Sequence, residues 1–320
     1  MTQISRRAVM AGAAALAATP ALASAPISGS QAPGFYRYKV GDFELTQLSD
    51  GAATFPMPDS FVTNVSKDKA IKAAFDSYLA PEGKITVPFN PVLINTGSKL
   101  ILIDTGYGPN IGPVVGHLTA NLAAAGIMPE QIDMVVISHL HPDHTNGLHN
   151  KDGSLTYPKA EILMPEHDWA FWMSDDNAAK ATDPVNKNYF ANAKKTLSDL
   201  KDHVTVYGWD KEIVTGVTSI ATPGHTPGHT SFAVASGKDK IFVQSDITNI
   251  PAFFLRNPDW HVMYDHDPEL AQRTRHKFYD MAAAEKAVVV GYHFPFPSVG
   301  HVEKAGKGYR LVPVNWNASV

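Results

Sequence analysis

The 320-residue chain contains no cysteine. That absence excludes disulfides, thiol nucleophiles and thiolate metal sites together. Runs of lysine or arginine are also missing, and the formal charge is −4. A net acidic chain without a basic patch is a poor nucleic-acid binder, so no nucleic-acid partner is expected. No Gly-x-Ser-x-Gly turn occurs, so the usual signature of a serine nucleophile on a strand–helix turn is absent. No stretch is strongly apolar over the ~18 residues a bilayer span needs, so no stable membrane insertion is expected. What remains is 44% hydrophobic and 18% charged, the balance of a globular protein, with fourteen histidines.

Residues 1–25 place Arg6 and Arg7 before an Ala-rich apolar run, then Pro20 and small residues at Ala21, Ala23 and Ala25. This is the layout of a secretory signal peptide. Ser5-Arg6-Arg7 resembles a twin-arginine export signal. A periplasmic or secreted home is the expectation. Residues 26–35, rich in Pro, Gly and Ser, read as a linker. No second linker or repeat follows, so residues 36–320 are expected to form a single domain.

Within that domain strands dominate. Phe43–Leu48, Pro91–Asn95, Leu100–Asp104, Asp133–Ser138 and residues 160–164 come first, with helices expected over 112–126, from Pro165 and over 186–202. Val204–Tyr207, Val217–Thr222, Ser231–Ala235 and Lys240–Gln244 follow. Pro268 opens a helix to Ala284, Ala287–Gly291 is a core strand, and Tyr309–Val314 reads as an edge strand. Two sheets packed face to face with helices outside fit this order, an α+β architecture.

The chemistry concentrates in His139-Leu140-His141-Pro142-Asp143-His144, directly after a buried strand. In extended backbone, residues i and i+2 point the same way, so His139 and His141 can aim at one ion. Pro142 then turns the chain and lets Asp143 and His144 face a neighbouring position. A helix cap needs one such residue, not four. Thr222-Pro223-Gly224-His225-Thr226 adds a third imidazole for the first ion. Asp246, beyond a strand, can place one carboxylate oxygen on each of two cations. His293 follows the last core strand and supplies the second ion. Asp104 stands at another strand end, where it either accepts the free N–H of a ligand histidine or simply turns the chain before Gly106.

HxHxDH, a Pro-Gly-His turn, a strand-ending Asp and a late His together resemble the metallo-β-lactamase-fold hydrolases. That resemblance implies a four-layer αββα sandwich with two divalent ions in the groove between the sheets. Zinc is the first expectation, with Mn, Co or Fe also suited to imidazole and carboxylate ligands. It places His139, His141 and His225 on one ion and Asp143, His144 and His293 on the other, with Asp246 bridging. In residues 222–230 it selects His225 as ligand and leaves His229 behind it. Asp143 and Asp246 then act in catalysis by holding the ions whose shared hydroxide attacks an ester.

The block Gly291-Tyr292-His293-Phe294-Pro295-Phe296-Pro297, with the helix Pro165–Met173, looks like the methyl parathion hydrolase branch. That branch implies phosphotriester, aryl ester or lactone substrates. An acyl-homoserine lactonase, a non-catalytic metal-binding protein and a mononuclear iron oxygenase are the alternatives. Trp172, Phe190, His261 and Phe294 are the expected substrate-pocket residues. His117, His149, His167, His203 and His276 are assigned to the surface, and Asp265-His266-Asp267 to capping of the Pro268 helix. A homodimer is compatible with the exposed aromatic loops.

Overall fold

Strands such as Leu100–Ile103 and Met134–Val136 carry apolar residues at every position, which requires burial of both faces. The computed structural model describes residues 27–29, 31–75, 83–201 and 203–320. The expected leader, residues 1–25, lies outside the described residues. Residues 33–320 form one unit, and the strand Phe35–Val40 begins inside the stretch read as linker.

In chain order the strands are β1 (Phe35–Val40), β2 (Phe43–Leu48), β3 (Gly51–Pro56), β4 (Lys84–Phe89), β5 (Val92–Asn95), β6 (Leu100–Ile103), β7 (Met134–Val136), β8 (Glu161–Pro165) and β9 (Val204–Tyr207). After them come β10 (Glu212–Val214), β11 (Val217–Ala221), β12 (Thr230–Ser236), β13 (Asp239–Ser245), β14 (Val288–Gly291), β15 (Val299–Ala305) and β16 (Gly308–Pro313). One seven-stranded sheet has the order β1-β2-β5-β6-β7-β8-β9, the other runs from β10 to β16 in sequence order, and β3 pairs with β4 as a separate hairpin.

Alternation along each strand sorts side chains between layers. Ile101, Ile103, Met134 and Val136 face Val234, Ile241, Val243 and Val290 of the other sheet in a shared core. Leu102 and Val135, one residue out of phase, meet the helices that cover the first sheet, including Pro184–Leu197. Phe242 and Val289 meet the helix Pro268–Ala284 on the far side. The result is helix, sheet, sheet, helix, the αββα arrangement.

Several boundaries differ from the sequence expectations for local reasons. The helix expected over 112–126 is confined to Leu118–Ala124, because Gly112 and Gly116 take positive φ before it. Pro165 caps the following helix rather than opening it: its ψ of 124° keeps it in the strand. The helix Pro268–Ala284 begins and ends where expected, with Asp267 accepting a hydrogen bond from Leu270 N.

Strand direction gathers the strand ends. β6, β7, β8 and β9 are mutually parallel. In the second sheet β11 and β13 are each antiparallel to β12, so they run the same way, and β14 is parallel to β13. The segments after β6 and β7 therefore leave one rim of the first sheet, and those after β11, β13 and β14 leave one rim of the second.

Candidate metal centre

Seven side chains meet where those two rims face each other. His139, His141 and His225 each offer a ligand atom within 4.8 Å of the others, and Asp143, His144, Asp246 and His293 form a second such group. All seven are at least nine-tenths buried. Asp246 reaches both groups. Its Oδ2 lies 2.8 Å from His293 Nε2, 3.5 Å from His225 Nε2 and 4.0 Å from His139 Nε2, while Oδ1 lies 3.4 Å from His144 Nε2.

The backbone is shaped for this. Pro142 starts a one-turn helix, Pro142–Thr145, with His141 still extended at its N-cap. That break separates the two histidines of the strand end from Asp143 and His144. Gly224 has φ +132°, and a Cβ there would collide with the backbone of Ala271. The turn carrying His225 is thereby pressed against the Pro268–Ala284 helix. Asp104 and Ser245 hold φ of 63° and 52°, a conformation that costs a non-glycine residue ~1–2 kcal/mol. Both are fastened to Ser138: its Oγ donates to Asp104 Oδ2 at 2.8 Å and lies 2.6 Å from Ser245 Oγ.

Partners behind the ring fix the tautomers of four histidines. His139 Nδ1 lies 3.1 Å from Ser138 Oγ, and His144 Nδ1 donates to Asp104 Oδ2 at 2.9 Å. His225 Nδ1 donates to Asp265 Oδ1 at 2.9 Å, and His293 Nδ1 to the Pro88 carbonyl at 2.8 Å. Each Nε2 lone pair then points at the centre. His225 Nε2 faces His141 Nδ1 at 3.0 Å. His139 Nε2, His144 Nε2 and Asp246 Oδ1 are buried without any hydrogen-bond partner. Buried acceptors without donors are costly, at roughly 1–3 kcal/mol each. Buried imidazole and carboxylate atoms that converge, three of them with no protein donor, are the donor set a cation requires, so the residues fit two metal ions.

Electrostatics divides the ligands. Burial, reinforced by the neighbouring imidazoles, holds His139 and His141 well below the usual histidine range, which keeps them neutral. Burial acts the same way on His144 and His293 but is outweighed by carboxylates, and both are raised. Burial would lift Asp246, yet His293 and His144 hold it well below the carboxylate range.

His229 is not among either group. Its Nε2 accepts from Asp246 N at 3.0 Å, and its Nδ1 sits 2.9 Å from Thr222 Oγ1. Burial pushes it down to about 3, so it stays neutral and positions the Asp246 backbone. Asp265 requires a correction. It does not cap the helix; Asp267 alone does. Asp265 is buried and bridges His225 to the buried Arg275, whose guanidinium also donates to the carbonyls of Ile247, Pro258 and Trp260. Asp168 was also not singled out by the sequence. It accepts from Leu140 N and Gly228 N, tying the two histidine-bearing loops together.

Beside the seven side chains lies an open recess of about 510 Å³. The β3–β4 hairpin supplies Phe55, Val87 and Phe89 to its wall, and Tyr107, Tyr189 and Tyr264 come from three other segments. Asn249 also borders it, with a buried Oδ1 that has no partner. The four pocket residues expected from the sequence lie elsewhere. Trp172 and Phe190 pack in the core under the first sheet, because their helices turn those faces inward; Tyr189 takes the place at the recess. Phe294 is fully buried behind the second sheet. His261 bonds Gln272 at 2.8 Å and does not border the recess.

A sequence profile of the metallo-β-lactamase superfamily matches residues 87–293. The chain belongs to the metallo-β-lactamase superfamily. This metallo-β-lactamase-fold protein is 24% identical to an N-acyl homoserine lactonase from Bacillus cereus over 262 residues, 76% of this chain and 92% of the relative. Among solved structures it is similar to hydrolase AbOPH of the β-lactamase superfamily, with TM-score 0.83, 31% identity, and coverage of 90% of this chain and 100% of that one. It is also similar to AidC, a dizinc quorum-quenching lactonase solved with a product, N-hexanoyl-L-homoserine: TM-score 0.83, 27% identity, 89% of this chain and 98% of that one. The family and the two ligand groups make the chain a dinuclear metal-dependent hydrolase.

Proposed function

We propose that this hydrolase opens lactones, with N-acyl homoserine lactones as its substrate class and zinc in both positions. The observation that carries the reading is the recess: its polar floor is the Asp143, Asp246, His225 and His293 edge of the metal centre, and its walls are aromatic and apolar. A small neutral ester with an apolar arm suits such a site. Similarity to lactonases over most of the chain supports the same class.

Two divalent ions held by His139, His141 and His225 and by Asp143, His144 and His293, with Asp246 reaching both groups, would supply Lewis-acid polarisation of a scissile carbonyl and a water of lowered pKa. The protein's own part is geometric. Asp246 holds the two groups in register, Asp104 and Asp265 orient His144 and His225, and His229 fixes the Asp246 backbone.

A second reading, cleavage of aryl esters or phosphotriesters as in the methyl parathion hydrolase branch, is favoured by one feature. Phe55, Phe89 and Tyr107 give the recess aromatic surface against which an aryl leaving group can pack. We also propose export, from the leader-like residues 1–25. The deciding experiment is metal analysis of the purified protein coupled to kcat/KM for an N-acyl homoserine lactone, an aryl acetate and an aryl phosphotriester. The lactone is expected to be the best substrate, and all turnover is expected to vanish on chelation and return with zinc. A phosphotriester preferred over the lactone overturns the first reading in favour of the second.

A further inference from the structure

The metal centre accounts for one polar group of a substrate, its scissile carbonyl. Besides Asn249, three tyrosine hydroxyls border the same recess and have no task in the structure. Tyr107 follows the β6 strand end, Tyr189 lies on the helix Pro184–Leu197, and Tyr264 precedes Asp265. Each ring packs against a neighbour: Tyr107 against Phe89 with centroids 4.8 Å apart, Tyr189 against His141 at 4.3 Å, and Tyr264 against Phe61 at 6.2 Å. Among the described residues, no hydrogen bond links any of the three hydroxyls to a protein group. They are also not sealed in, unlike the buried and unpaired hydroxyls of Tyr38 and Tyr157. The three phenols are close enough to one another and to Asp143 to interact electrostatically.

The same recess is also bordered by the apolar face of the hairpin, with Phe55 and Val87. The recess thus has one hydroxyl wall and one hydrocarbon wall above a single reactive edge. A plain lactone or an aryl acetate offers no acceptor to the hydroxyl wall once its ester is engaged. A lactone carrying an amide on the ring offers an N–H one bond from the ring, a second carbonyl oxygen three bonds from it, and an acyl chain for the hydrocarbon wall.

We propose that Tyr107, Tyr189 and Tyr264 form a subsite for the exocyclic amide of an N-acylated lactone, and that this subsite selects amide-bearing lactones over alkyl lactones. The assignment deepens the lactonase reading and rests on it. Sites built to hydrogen-bond a substrate group discriminate strongly against analogues that lack it, because their own polar groups are then left unpaired.

The test uses the metal-loaded protein and the substitutions Tyr107→Phe, Tyr189→Phe and Tyr264→Phe, singly and combined. Each keeps the ring that packs against Phe89, His141 or Phe61 and removes only the hydroxyl. kcat/KM is measured for N-hexanoyl homoserine lactone and for γ-nonalactone, which lacks the amide. Affinity for the ring-opened N-hexanoyl-L-homoserine is measured by calorimetry, with metal content as the control. The combined variant is expected to lose about tenfold or more on the N-acyl lactone, with a parallel loss of product affinity, and to stay within about twofold on γ-nonalactone. The single variants carry the same comparison if the combined one does not fold. Equal losses on both lactones, or no loss on either, overturn the subsite. A wild-type protein that cleaves both lactones equally well overturns the subsite alone. A wild-type protein that cleaves neither while cleaving the aryl phosphotriester overturns the lactonase reading and the subsite with it.

Discussion

The metal-ligand edge and the opposite wall of the recess are built in different ways. On the ligand edge, each group stands at or just beyond a strand end and is at least nine-tenths buried, and four of the histidines are braced by a second polar group: Ser138, Asp104, Asp265 or the Pro88 carbonyl. On the opposite wall, Phe55 is half-buried on a two-stranded hairpin that joins neither main sheet, and Tyr107, Tyr189 and Tyr264 are half-buried on unrelated segments. The chemistry is fixed by many mutually supporting contacts.

Substitutions on the two sides should therefore differ in kind, and the largest effect is expected at the shared carboxylate. Asp246→Ala removes the one group that reaches both histidine groups. Turnover should fall by three orders of magnitude or more, and bound metal by at least one ion per chain, on the order of what loss of a catalytic metal contributes. Retention of two tightly bound ions with normal turnover would break the account of the centre.

Asp265→Asn should come next. It weakens the acceptor for His225 Nδ1 and leaves the buried Arg275 without its counter-charge. Metal affinity is expected to drop about 10- to 100-fold, the usual effect of losing such a partner. Titration against a competing chelator measures it. An unchanged affinity would mean that His225 needs no such support.

Phe55→Ala, on the hairpin wall, is expected to raise KM for an acyl lactone about tenfold while kcat changes little. The bound metals should be unaffected. A fall in kcat with unchanged KM would place Phe55 in the chemistry rather than in binding. The smallest effect on activity is expected from Phe190→Leu. Its ring packs on Trp172 at 4.7 Å and on Phe171 at 5.3 Å, away from the recess. Thermal denaturation should show a loss of about 1 kcal/mol, with the ranking of substrates unaltered. A changed ranking would return Phe190 to the pocket wall.

These two regions also differ in how far they can be read along the chain. His139 to His144 is legible because four ligand types in six positions after an apolar strand have no simple packing role. The pocket wall is not, since GAATFP is rich in weak strand formers and pairs with a partner far along the chain. A usable signal was present in KITVPF, where Ile85, Val87 and Phe89 alternate. Trp172 and Tyr189 show the limit of reading aromatics by position. Both lie on helices over the first sheet, and a turn of one residue, from Phe190 to Tyr189, decides which ring borders the recess.

Strand periodicity, the absence of cysteine and the run of histidines fixed the layered sandwich and the identity of the metal-binding residue types, because these depend on local spacing and on backbone direction. Of the two Pro-Gly-His turns, the family resemblance selects the first as the ligand-bearing one, and only the tertiary structure gives the second its role. His225 faces His141, while His229, four residues later, is turned to hold the backbone of Asp246. The support that Asp265 gives His225 likewise exists only once separate loops are packed together, since the two stand in different segments of the chain.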